Sequence, residues 1–218
     1  MTRDKVHRRL VPRSAARGFQ YRDTTTAAQG RMYRSIPVIV WAIGQSQPSM
    51  PAKQLTSYAQ VVQDEAKKHD IDPFTIVAIV HNESRWRASA VSPDGEDFGL
   101  GQIRARYRKG CRPDIPAAQD SSPSCSVVKA NLLNGASNIR SMANTITAWR
   151  TKCRKVTGRK ALLVRWLHGY GGMTKPGKGT WCNQTKIKGR WRDLPTPSKL
   201  KPILSYRLRL IRLSRRIR

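Results

Sequence analysis

Acidic residues are almost missing from the second half of this chain. Between Ser121 and Arg218 there is one, Asp193, against 23 Lys and Arg. Residues 1–50 carry nine bases and two acids, and residues 51–120 carry ten of each. The formal charge of +29 therefore sits at the two ends, around a balanced middle. Such a field favours polyanions: nucleic acid, anionic lipid headgroups or acidic cell-wall polymers, without choosing among them. Also missing is any apolar run of the roughly 20 residues needed to cross a bilayer. There is no CxxC pair, and no His at ligand spacing from a cysteine, which argues against a zinc site. No run of alternating polar and apolar residues suggests a β core, and no internal repeat is present.

Four cysteines are present, Cys111, Cys125, Cys153 and Cys182. Their even count and wide spacing fit two disulfides in an oxidising compartment. The simplest pairing is Cys111–Cys125 with Cys153–Cys182, one of three connectivities that the count allows. Arg34 precedes an apolar run, Ile36–Ile43, followed by the small and polar stretch Gly44–Ala52. This arrangement suits an export signal over residues 32–46, behind an unusually long basic leader, with Met32 as an alternative start. A buried strand or a basic arm is the other reading of the same residues.

The order along the chain is helical. Leu55–Lys68 has helical apolar spacing with one buried face. Asp72-Pro73 opens a second helix, Asp as N-cap and Pro at the first position, which runs through an apolar stretch into Glu83. Residues 88–102 and 112–125 read as ordered loops. Asn131–Arg150 reads as one long helix, and Ala161–His168 as a shorter one stopped by Gly169. Leu204–Arg218 is basic and amphipathic if helical, suited to an anionic surface, or else a solvated tail. The fold class is mostly α. The organisation divides into a leader, signal and linker (1–53), a central domain (54–172) and a basic C-terminal extension (173–218).

Glu83 ends an apolar helix and faces Ser- and Gly-rich loops. Cleavage of a glycosidic bond needs a proton delivered to the leaving oxygen, and apolar walls raise a carboxyl's pKa enough to supply it near neutral pH. The surrounding run, His81–Ile103, resembles the soluble lytic transglycosylase family of the lysozyme-like superfamily. The matching residues are Glu83-Ser84, Ala90-Val91-Ser92, Gly95 and Gly99-Leu100-Gly101-Gln102, with Ile71-Asp72-Pro73 upstream and Asn131-Leu132 and Gly135-Ala136 downstream. They occur in the family's order over roughly Gln54–Gly172. The resemblance implies a lysozyme-like helical domain with ordered active-site loops. It implies peptidoglycan glycan strands as substrate, Glu83 as catalytic acid and then base, and Ser84, Ser92, Gly99, Leu100, Gln102, His168 and Tyr170 around the sugar.

Two departures from the family stand out. Glu96-Asp97-Phe98 lengthens the loop between the two glycines by one residue. The family's late Ala-Tyr-Asn-x-Gly reads Trp166-Leu-His-Gly-Tyr-Gly171 here, which puts His168 at the Tyr and leaves Tyr170 as a neighbouring ring. Family members use one Glu and release a 1,6-anhydro product. A second carboxylate holding a water, Asp97 before Glu96 or Asp94, would make a hydrolase of goose-lysozyme type instead. A nucleic-acid-binding protein and a non-catalytic wall-binding module are the other classes that the charge allows. No nucleic-acid-binding motif is present. The reading calls for no metal or organic cofactor and expects a monomer in the periplasm or cell envelope, with the basic tail free to touch membrane or wall polymer.

Overall fold

The computed structural model describes residues 35–157, 163–172 and 180–217. The basic leader and the alternative start at Met32 lie outside the described residues. Seven α-helices account for most of what is described: α1 (Ile36–Ser46), α2 (Ala52–His69), α3 (Pro73–Glu83), α4 (Pro123–Leu133), α5 (Gly135–Thr157), α6 (Leu163–Tyr170) and α7 (Lys201–Ser214). Two antiparallel sheets are small. β1 (Asp97–Phe98) pairs with β2 (Ile103–Arg104), and β3 (Thr180–Trp181), β4 (Gln184–Ile187) and β5 (Arg190–Asp193) form the other. The mostly α class read from the sequence holds.

Helix α3 is the axis of the molecule. The Asp72 carboxylate accepts from the Phe74 amide at 3.1 Å, and Pro73 takes the position whose amide would have no partner. Pro73 to Val80 are all buried, as a helix apolar on every side requires. Helices α1, α2 and α7 pack around it. Helix α2 turns Tyr58, Ala59, Val62 and Ala66 inward and ends at Asp70 in the left-handed region, where Arg150 donates to the His69 and Asp70 carbonyls at 2.6 and 2.9 Å.

The apolar run read as the core of an export signal is helical and forms the body of α1, with Ile39, Ala42 and Ile43 sealed from solvent. Several expected element bounds change at this level. Residues 44–53, read as a linker, are the last turn of α1, a short turn and the start of α2. The single helix expected over Asn131–Arg150 is two. Asn134 has an extended backbone (ψ 117°), and its side chain accepts from the Ser137 amide at 3.0 Å, so it closes α4 and caps α5. Helix α4 starts inside the expected loop because Ser122 caps it and Pro123 occupies its first turn. Gly169 does not stop α6. It lies inside the helix against Trp149, where a Cβ would stand 2.3 Å from the indole.

Within the basic C-terminal extension, the described residues 180–217 pack against the rest of the protein. The strands of the second sheet lie among them, tied to α5 by the Cys153–Cys182 disulfide and to α6 by the Arg165–Asp193 ion pair at 2.6 Å. The lone acid of the second half thus holds that sheet in place. Helix α7 buries Ile203, Leu204 and Leu210, and Arg207 reaches the Asp72 carboxylate at 2.7 Å. The apolar stripe that would have suited a lipid surface is occupied by the core, which leaves Arg209, Arg212, Arg215 and Arg216 outward. Both disulfides take the simpler pairing, the first closing Cys111–Cys125. No helix among the described residues is long and apolar enough to cross a membrane.

Candidate functional site

Glu83 is the last residue of α3. Its carboxyl is partly enclosed, and burial raises its pKa above the ordinary carboxylate value; the charge of Lys199 and a hydrogen bond from Asn82 pull it back, and Asp97 pushes it further up. The backbone must turn sharply here for the carboxyl to sit at the helix end. Ser84 is buried and its hydroxyl bonds the Val80 carbonyl at 3.4 Å, which finishes the helix. Arg85 and Trp86 then both adopt positive φ, 53° and 63°, uncommon outside glycine and found where a fold over-determines the backbone. Trp86 fixes the turn: it is buried, packs on Tyr58 and donates from its indole to the Ser46 hydroxyl at 2.8 Å.

The loop facing Glu83 is built by backbone contacts. Ser92 accepts from the Asp97 amide at 2.9 Å and the Glu96 amide at 3.2 Å, closing the turn that carries Gly95. Gly99 has φ 73°, and a Cβ there would stand 2.0 Å from the Leu132 carbonyl oxygen, so glycine is required twice over. Leu100 is fully buried beneath it. Gln102 takes φ 48° and turns its amide nitrogen onto the Gly99 and Ala90 carbonyls at 2.9 and 3.3 Å, which leaves its amide oxygen as the polar group to offer a ligand.

Asn138, from α5, binds this loop and was not anticipated. Its side-chain nitrogen donates to the carbonyls of Phe98 (2.8 Å) and Leu132 (2.7 Å), and its oxygen accepts from the Gly101 amide (2.7 Å). The signal was present: a polar residue at a position of α5 flanked by Ile139 and Met142, where only a saturated hydrogen-bonding role suits burial.

The altered segment Trp166–Gly171 resolves into two different environments. Tyr170 donates its hydroxyl to the Gly101 carbonyl, and burial together with the charges of Glu83 and Asp97 raises its pKa well above the usual phenol value. His168 is 4% exposed, with burial lowering its pKa. Tyr170 is thus a ring that reaches the Gly99–Gln102 loop.

The three acids of the loop separate by their partners. Glu96 is buried, bonded by both Arg106 donors and by the Ala117 amide at 3.0 Å, and these bonds hold its pKa below the ordinary value. Asp94 is exposed, with a lowered pKa caused first by the Ser92 hydroxyl. Asp97 lies close enough to influence both Glu83 and Tyr170, and it is clasped by Arg104 at 3.0 and 2.9 Å. The structure brings Glu83, Gln102, Tyr170 and Asp97 to one place; Ser84, Ser92 and Leu100 support it from within. The charge of Lys199, which no sequence motif singles out, acts on the Glu83 carboxyl from the turn before α7.

Among the described residues, the one group of potential metal ligands is Cys111, Asp120 and Cys125. Its cysteines are joined to each other, and Asp120 accepts from the Arg112 and Ser122 amides at 2.9 and 3.1 Å, so the group braces the loop before α4.

No curated protein and no solved structure gives a match to this sequence. Residues 60–151 match the family model described as Transglycosylase SLT domain. The match begins within α2, contains Glu83 and the Gly99–Gln102 loop, and ends within α5, so α1, Tyr170, the second sheet and α7 lie beyond it. Residues 60–151 are thus similar to the transglycosylase SLT domain, the family that the motifs around Glu83 resemble.

Proposed function

We propose that the protein is a peptidoglycan lytic transglycosylase in which Glu83 acts as acid and then as base. The observation that carries this reading is a carboxyl with a raised pKa at the end of the apolar helix α3, inside the matched domain. A protonated Glu83 gives its proton to the oxygen of the β-1,4 bond between N-acetylmuramic acid and N-acetylglucosamine as that bond to the sugar carbon breaks. The substrate's acetamido group stabilises the resulting sugar cation. The sugar's own 6-hydroxyl then attacks the carbon and returns its proton to the Glu83 carboxylate, closing the 1,6-anhydro ring and restoring the acid. Gln102, through its amide oxygen, and Tyr170, beside the same loop, would orient the sugar. No metal or organic cofactor enters these steps.

A second reading, hydrolysis, has one observation in its favour: the influence of Asp97 on Glu83. Two carboxylates serve a hydrolase, one of them holding the attacking water. Arg104 weighs against it by occupying both oxygens of Asp97. The two disulfides suit an oxidising compartment, and the outward arginines suit a polyanionic envelope. We therefore assign the site of action to the periplasm or cell envelope, with the basic surface near wall polymer or anionic lipid.

The test is digestion of purified peptidoglycan by the full-length protein beside Glu83→Gln, with products identified by mass. Anhydro-muramyl products are expected, and a loss of roughly 100-fold or more in the variant, the contribution typical of a positioned general acid. Reducing-end products would turn the assignment to hydrolysis and to Asp97. Absence of cleavage by folded wild-type protein would leave a wall-binding role.

A further inference from the structure

Glu83 is bracketed in the chain by two residues whose side chains meet on one oxygen. His81 precedes it by two positions and has its Nδ1 2.6 Å from the Ser46 hydroxyl. Trp86 follows it by three and donates its indole N–H to the same hydroxyl at 2.8 Å. Ser46 is the last residue of α1, buried, and lies ahead of the matched residues. The roles of the atoms follow from their chemistry. A guanidinium can only donate, so the Arg85 contact makes Nε2 of His81 the accepting nitrogen and leaves the ring proton on Nδ1. The Ser46 oxygen therefore accepts from both rings, one lone pair for each. The Tyr206 ring of α7 lies flat on the imidazole, 3.8 Å between centroids and 6° between planes, and fixes its plane. Trp86 also packs on Tyr58 of α2, 5.7 Å between centroids.

Between these anchors the backbone is strained. Arg85 and Trp86 both have positive φ, 53° and 63°, a conformation that a residue other than glycine keeps only where its surroundings hold it. Backbone bonds across the turn run from the Ser84 amide to the Val80 carbonyl and from the Arg87 amide to the Ser84 carbonyl, each at 3.1 Å. We propose that Ser46 is a positioning residue of the reaction: its oxygen ties His81 to Trp86 and so holds the turn that aims the Glu83 carboxyl. The inference rests on the role of Glu83 proposed above. Proton transfer depends steeply on where the acid stands against the leaving oxygen. A tether on the residues to either side of Glu83 therefore acts on the rate without touching the sugar. Alanine at position 46 takes the shared acceptor from both ring donors, and threonine keeps it. The helix ahead of the matched residues then serves the site as well as the core.

The experiment compares the full-length wild type with Ser46→Ala, Ser46→Thr and His81→Phe on soluble peptidoglycan glycan strands, well below each protein's melting temperature. The Trp86 indole N–H is followed in the same proteins by nitrogen-15 NMR. In Ser46→Ala, kcat is expected to fall roughly tenfold with KM unchanged, the loss that a small misplacement of a reacting group produces. Its indole proton should move upfield and exchange faster with solvent. Ser46→Thr should recover kcat and the wild-type indole signal. His81→Phe keeps the ring stack and removes one of the two donors, so its kcat should lie between those of wild type and Ser46→Ala. A hydroxyl that only supports the fold lowers the melting temperature and leaves turnover of the folded protein unchanged. A kcat in Ser46→Ala within roughly twofold of wild type therefore overturns the proposal, as does a loss seen in KM alone. An indole signal identical in Ser46→Ala and wild type overturns it as well. A wild type that cleaves no glycan overturns the function of Glu83 and any positioning role with it, whereas failure in a wild type that does cleave is confined to Ser46.

Discussion

At the position of α5 where an apolar side chain would extend the stripe of Ile139, Met142 and Ile146, the protein has Asn138, fully buried. Its three hydrogen bonds hold two carbonyls and one amide that have no access to water. Asn138→Leu is expected to destabilise the fold by about 3 kcal/mol, since several buried backbone groups lose their partner together. It should also lower kcat/KM at least tenfold by releasing the Gly99–Gln102 loop. Urea unfolding and turnover measure both; a change below about 1 kcal/mol would show that the loop holds its shape without Asn138. His81 gives a prediction in pH. It stacks on Tyr206 and bonds Ser46 at 2.6 Å, and burial, then Arg85 and Arg209, lower its pKa from 6.5 to about 4. The folded imidazole binds fewer protons than the unfolded one between those values. Its stability contribution is complete above pH 6.5 and is lost as pH falls through about 4. His81→Phe keeps the ring and should melt with a shallower decline across that window; an identical slope would remove His81 from the acid response. Residues of this kind were legible to different degrees. Glu83, Gly99 and Gln102 carried a motif, whereas Asn138 takes its role from distant segments.

Helix α1 shows how an element's meaning depends on its neighbours. Ile36–Ile43 is as apolar as an export signal, and hydrophobicity alone does not distinguish a segment that enters a translocation apparatus from one that enters a core. In the structure Ile39 and Ile43 pack among α2, α3 and α7, and Ser46 bonds both His81 and Trp86. Starting the protein at Pro51 would remove this helix, two fully buried isoleucines with it. A loss of about 5 kcal/mol is expected, close to the whole stability of many domains. Melting of the protein from Ser35 beside the protein from Pro51 checks this. Equal melting would return residues 36–46 to the signal reading, as would a mature native protein whose N-terminal sequence begins after Ser46. The break at Asn134 was hidden for a related reason. The apolar spacing of Leu132, Leu133, Ala136 and Ile139 continues across it, and only the extended backbone at Asn134 separates α4 from α5.

Across the described residues, α1 and the C-terminal segment 180–217 pack against the middle of the chain. Residues 180–217, which hold the C-terminal sheet and α7, carry +10 of the +29 net charge, and they are secured by the ion pairs Arg165–Asp193 and Arg207–Asp72, one disulfide and the buried face of α7. The Cys153–Cys182 bridge spans 29 residues, and a loop of that size is expected to contribute about 3–4 kcal/mol by restricting the unfolded state. Reduction, or paired replacement of both cysteines by Ser, should lower the melting temperature and loosen the sheet first. Hydrogen exchange in residues 180–193 before and after reduction measures the effect; equal protection would show that Arg165–Asp193 is sufficient alone.

The helical class, the capped start of α3, the disulfide count and the order of motifs around Glu83 were all legible in the amino-acid sequence. Each of these depends on neighbours within a few residues or on a local spacing. What lies against what was a matter for the folded molecule. Folding put Tyr170 beside the Gly99–Gln102 loop, packed the apolar run 36–43 against α2 and α3, and turned the basic tail into the partner of α3. Those outcomes are set by packing between segments far apart in the sequence, where the burial of Ile203, Leu204 and Arg207 against α3 outweighs the solvation of a basic helix.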